Sequence, residues 1–173
     1  MNNGFAFLVS TLFSLFIMAV VVRGWMQLVQ ANYFSPLALA IRKITDPVVL
    51  PLKKVLPSVG RLDLAVVVLA LALTALKIFI LASMAGQHAP LVALAIVSVR
   101  DLALEILQLV FWILIIRAIL SWFSQGQNPL EYVLYELTEP LLRPIRNFIP
   151  PLGGLDLSVL ILIIFIQFLM QVI

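Results

Sequence analysis

Residues 138–158 read TEPLLRPIRNFIPPLGGLDLS, and 93 positions earlier, at 45–65, the chain carries a related text, TDPVVLPLKKVLPSVGRLDLA. Pro36 to Leu64 matches Pro129 to Leu157 at ten of 29 positions without a gap. Thr45, Asp46 and Pro47 fall on Thr138, Glu139 and Pro140. Pro51 falls on Pro144, Lys53 on Arg146, Pro57 on Pro150, Gly60 on Gly153 and Asp63 on Asp156. One gap brings Arg23 onto Arg117. An oily composition can align Leu with Leu, but it does not align prolines, a glycine and an aspartate. The chain is a tandem duplication.

Apolar runs flank each copy. The 173 residues are 64% hydrophobic and 11% charged, whereas a soluble surface needs roughly a quarter of its residues charged. A soluble domain of this size could not hide so much apolar area, so the solvent for most of the chain is lipid. A spanning helix needs about 20 apolar residues. Four stretches qualify: about 4–22, 62–85, 102–123 and 155–173. The last stops with the chain at Ile173 and spans only just, which leaves a natural tail open. The first has neither the basic n-region nor the cleavage site of a signal peptide, so it reads as a retained helix. Leu91 to Val99 is too short to span; it lies in the interface or extends the third helix outward. The fold class is an all-α membrane protein with four spans in two helix–amphipathic connection–helix repeats. Residues 1–85 and 102–173 form the repeats, and 86–101 an outer connection.

Two spans per repeat return the chain to its starting side, so the repeats must run parallel. The cations agree. Arg23 to Arg61 holds six Lys or Arg and Arg117 to Gly154 holds three, while Arg100 stands alone on the opposite side. The positive-inside rule puts both long connections in the cytoplasm and both termini outside. A pI of about 9.6 then reflects membrane orientation, and no direct nucleic-acid contact is expected.

The repeated motif is Thr, acid, Pro, three residues, Pro, one residue, cation. A Thr or acid before Pro reads as a helix start, with a second short helix before it opened by Ser35-Pro36 and Asn128-Pro129. Pro51 and Pro144 should bend the helix or tighten it to 3₁₀, and Pro57 and Pro150 should stop it. These segments are too apolar for free loops and too broken to span. They are placed flat in the cytoplasmic interface, with Lys53, Lys54, Arg143 and Arg146 at headgroup level; a shallow re-entrant dip is the second choice.

Asp63 and Asp156 read as N-caps of the second and fourth spans. A compatible, sharper reading pairs Asp63 with Arg23 and Asp156 with Arg117. Toward the other face, Lys77 lies within reach of Glu105. A structural pair is the plain reading of those two, and an ion or proton path the sharper one. Cysteine is absent and His88 is the single histidine, so no metal set, haem-ligand set or cofactor site is expected. No nucleophile–base pair is visible, and no enzymatic activity is expected.

These residues resemble the YggT (YlmG) family. The resemblance rests on Thr138-Glu139-Pro140, Arg143-Pro144, Arg146, Pro150 and Gly153 to Asp156, with the run from Arg117 to Trp122, and it covers both repeats. The first copy is the more divergent, with Asp46 for the acid and Arg61 opposite Gly154. The resemblance implies a small bacterial inner-membrane protein linked to osmotic-stress tolerance, cell division and envelope organisation. From the residues, the leading expectation is a non-enzymatic scaffold or assembly factor. Its basic connections would meet anionic lipid headgroups or a membrane-protein partner, with a homo-oligomer open. The alternative is a small oligomeric transporter or channel component for ions or osmolytes.

Overall fold

The computed structural model describes residues 3–32, 34–87, 90–123, 128–148 and 157–173. Pro150, Gly153, Asp156 and His88 lie outside the described residues, as does the side chain of Trp122. The described residues form six helices and one small hairpin. The helices are α1 (Asn3–Val29), α2 (Pro36–Lys53), α3 (Leu64–Met84), α4 (Leu91–Phe123), α5 (Pro129–Phe148) and α6 (Leu157–Val172). Strands β1 (Ser58–Val59) and β2 (Leu62–Asp63) pair antiparallel between α2 and α3.

The helices Gly4–Val29, Leu64–Met84 and Leu91–Ser121 are long and apolar enough to cross a bilayer, and α6 is apolar but shorter. Large apolar side chains on these helices stay exposed, among them Phe7, Leu12, Phe79, Ile119 and Phe165. That surface is tolerable only against lipid. The molecule is a helical membrane protein.

The halves share one packing plan. In the first, α1 packs on α2 and α3, and α2 touches α3; in the second, α4 packs on α5 and α6, and α5 touches α6. The halves meet where α3 and α1 lie on α4 and where α5 reaches α1 and α2. Gly24 marks the closest approach of α1 to α3: a Cβ there would stand 2.8 Å from Val66 Cγ1.

Several boundaries differ from expectation. Leu91–Phe123 is one helix of 33 residues, about 50 Å at helical rise, so the 91–99 piece extends the third span outward. The first helix runs past Arg23 to Val29. The sharpest difference lies in the repeated motif. Thr45-Asp46-Pro47 and Thr138-Glu139-Pro140 do not begin helices; α2 and α5 run through them as single α-helices with Pro47, Pro51, Pro140 and Pro144 inside. The start signals used are the earlier ones. Ser35 Oγ accepts from Ala38 N–H at 3.2 Å, and Asn128 Oδ1 accepts from Leu130 N–H at 3.0 Å. The hairpin was not foreseen. Its turn puts Gly60 at φ +63°, the first central position that a type II′ turn gives to glycine.

Candidate functional site

The repeated motif builds the same contact twice. In the first half, Arg23 of α1 is buried and donates through Nη1 to Thr45 Oγ1 at 2.7 Å; the same nitrogen lies 2.6 Å from Asp46 Oδ1. In the second half, buried Arg117 of α4 donates through Nη1 to Thr138 Oγ1, and its Nη2 lies 3.7 Å from Glu139 Oε2. The threonines explain why a hydroxyl is needed. Thr45 Oγ1 donates to Ile41 O at 2.7 Å, and Thr138 Oγ1 donates to Leu134 O at 2.7 Å. Each hydroxyl thus gives its proton one turn back and keeps its lone pairs for the arginine. Both threonines are fully buried.

Two residues later, Pro47 and Pro140 lack the N–H that would close the next turn. The arginine latch therefore grips each amphipathic helix just before its hydrogen-bond ladder breaks. This replaces the pairing of Arg23 with Asp63. Arg23 is engaged by Thr45 and Asp46, while buried Asp63 sits 2.5 Å from Lys53 Nζ and accepts from Ala65 N–H at 3.1 Å. Asp63 thus caps α3 and ties the end of α2 to it. Asp156, and with it the expected pairing of Asp156 with Arg117, lies outside the described residues; Arg117 meets Thr138, Glu139 and the Tyr135 ring, whose centroid lies 4.8 Å from its guanidinium carbon. Arg23 lies inside α1 with Thr45 and Asp46 of α2 packed beside it, and the hairpin brings Asp63 back to Lys53 instead. The spacing carried the signal, because arginine precedes threonine by 22 residues in one half and 21 in the other. Tyr135 carried no comparable mark, since Arg42 stands opposite it.

The remaining motif residues divide by exposure. Arg146 Nη1 lies 2.9 Å from Glu139 Oε2, so that glutamate bridges two arginines. Pro47, Pro51, Pro57, Gly60, Pro140, Arg143 and Pro144 are exposed. Glu136 accepts from Asn32 N–H at 2.8 Å, linking the turn after α1 to α5 across the two halves. Its charge and hydrogen bond also hold the Tyr132 phenol above the usual tyrosine range.

A second polar site lies between α1, α3 and α4. Lys77 Nζ stands 2.6 Å from Glu105 Oε1 and 2.6 Å from Asp101 Oδ2. Ser14 Oγ donates to Glu105 Oε1 at 2.6 Å. Lys77 and Glu105 are buried and Asp101 is partly exposed, so the cluster opens toward one end of the bundle. Toward Arg23 it meets the apolar layer of Ile17, Val20, Leu69 and Ala70. Gln108, Gln167 and Gln171 on α4 and α6 are exposed. Among the described residues no group of three or more His, Cys, Asp or Glu could hold a metal ion.

The chain's relatives fit this architecture. A Vibrio alginolyticus protein from the region 3′ of proC is 47% identical over 96% of this chain and 91% of its own length. Escherichia coli K12 YggT is 37% identical over 94% of this chain and 85% of its own. The chloroplastic YlmG homolog protein 2 of Arabidopsis thaliana is 48% identical over 46 residues, 27% of this chain and 18% of its own. No solved structure matches. The CCB3/YggT family model matches in two segments, residues 2–84 and 96–173, which are the two latch-bearing halves. The chain belongs to the CCB3/YggT family of membrane proteins.

Proposed function

We propose that this protein is a non-enzymatic scaffold of the bacterial inner membrane that organises envelope proteins through its two amphipathic helices. One observation carries the reading. The motif residues most suggestive of chemistry, Arg23 with Thr45 and Asp46 and Arg117 with Thr138 and Glu139, are engaged with one another and hold α2 and α5. What they hold in place is a surface, with Lys54 and Arg143 exposed on it. In this reading α1, α3, α4 and α6 all span, the two halves run parallel, and α2 and α5 lie at the cytoplasmic face. The excess of cations in those connections supports that orientation, and so does the shared packing plan. The roles in osmotic tolerance and division implied by the family resemblance would follow from failed assembly of partners.

The experiment is crosslinking in native membranes followed by capture of the full chain. A reproducible membrane-protein partner should be recovered, and charge reversal at Lys54 and Arg143 should lower that recovery. Recovery of no partner, or recovery indifferent to both reversals, overturns the scaffold. The Lys77 cluster is the observation that favours transport instead. Purified protein in liposomes that moves ions or osmolytes under a gradient would establish transport. The apolar layer behind Glu105 predicts no flux.

A further inference from the structure

The two halves differ most on the outer faces of α2 and α5. Offset by 93 residues, Arg42, Lys43, Lys54 and Arg61 of the first half stand opposite Tyr135, Glu136, Asn147 and Gly154 of the second. All four cations are exposed, and none meets a carboxylate among the described residues. In the second half two of the equivalent positions are internally used: Tyr135 covers Arg117, and Glu136 receives Asn32 N–H.

The apolar faces differ in the same direction. Val133 and Leu137 of α5 are buried at 1% and 0% exposure, packed with Met26 of α1. Their equivalents on α2, Ala40 and Ile44, are exposed, Ile44 at 58%. At about 100° per residue, Ala40, Ile44, Pro47, Val48 and Pro51 fall in one sector of α2 and Lys43 and Lys54 fall beside it, while Arg42 lies on the opposite face, beside Arg23 and Met26 of α1. An apolar strip bordered by uncompensated cations is the pattern of a helix lying in an anionic interface.

We propose that α2 and its hairpin form the docking surface of this chain for anionic phospholipid, with α5 the copy whose Val133 and Leu137 are turned into the protein. Ile44 and Val48 meet the acyl region while Lys43, Lys54 and Arg61 meet the phosphates. The more divergent copy is thus the one that binds. The inference rests on the scaffold reading for the placement of α2 at a membrane face, but its test uses purified protein without any partner.

The chain has no cysteine, so Ile44→Cys gives a single site for a fluorophore. The labelled full chain is placed in phosphatidylcholine vesicles containing a small fraction of brominated lipid, either phosphatidylglycerol or phosphatidylcholine. At low salt the brominated phosphatidylglycerol should quench at least about threefold more than brominated phosphatidylcholine at equal fraction, since clustered basic residues at a membrane surface concentrate anionic lipid around them. K43Q/K54Q/R61Q should make the two equal, whereas R143Q in the second half should preserve the preference. In case the triple variant fails to fold, the cation-intact chain provides the same test, because about 1 M NaCl should abolish the preference. Equal quenching by both lipids at low salt, no quenching by either, or a preference that survives salt would overturn the proposal. Partner capture that persists after such a result would leave the scaffold standing. A lipid preference with no partner ever captured would do the reverse.

Discussion

Arg117 touches a hydroxyl, a carboxylate and an aromatic ring at once, and Arg23 repeats the first two of those contacts. A buried guanidinium is stable only when its donors are met, and removing one partner of a buried pair costs about 3–5 kcal/mol. Arg117→Ala should therefore lower the melting temperature in detergent sharply. Arg117→Lys should recover only part of the loss, because an ammonium cannot fork between Thr138 and Glu139. Thr138→Val keeps the shape and removes the hydroxyl; it should cost about 1–3 kcal/mol in the same melt. A double-mutant cycle of Arg23→Ala with Asp46→Ala should show coupling of about 1 kcal/mol or more; additive losses would mean that the first latch is decorative. Sequence alone singled out Arg23, Thr45, Asp46, Arg117, Thr138 and Glu139 but missed Tyr135, and it matched Arg23 to Asp63 where the structure has Asp46. Asp46 and Asp63 are both acids near a helix boundary, and only the hairpin turning at Gly60 decides which one faces α1.

The helices were legible to the extent that periodicity and length fix them. The apolar runs, the caps at Ser35 and Asn128 and the duplicated connection follow from residue type. The continuity of α2 and α5 through their prolines does not. Local propensity places a break at Thr45-Asp46-Pro47, and a tertiary contact, the arginine from a neighbouring helix, overrides it. The close pairing of α1 with α3 was also invisible, because it depends on which residue faces Gly24. Gly24→Ala should destabilise by about 1–3 kcal/mol through the clash with Val66, and adding Val66→Ala should restore part of that. At the other end of the same helices, Lys77→Met strands Glu105. Lys77→Met with Glu105→Leu should melt closer to the parent than Lys77→Met alone, since an apolar replacement of a buried pair is often neutral. A double variant no better than the single would assign the Lys77 cluster more than a packing role.

For the whole molecule, the duplication has a consequence that neither half has alone. In the proposed arrangement two parallel units would place their amphipathic helices at one face; there Val133 and Leu137 of α5 pack against Met26 of α1, while Ile44 of α2 stays exposed. The two copies would then divide the work, α5 the more engaged within the protein and α2 the more open to the surroundings. That division stands or falls with the parallel arrangement of the repeats. Single cysteines at the equivalent positions Lys54 and Asn147, with a third at Gln87 in the connection between the halves, test it through a membrane-impermeant maleimide. Positions 54 and 147 should be labelled only in inverted membrane vesicles and position 87 only in intact cells. Labelling of 54 and 147 from opposite sides would make the repeats antiparallel and contradict the account.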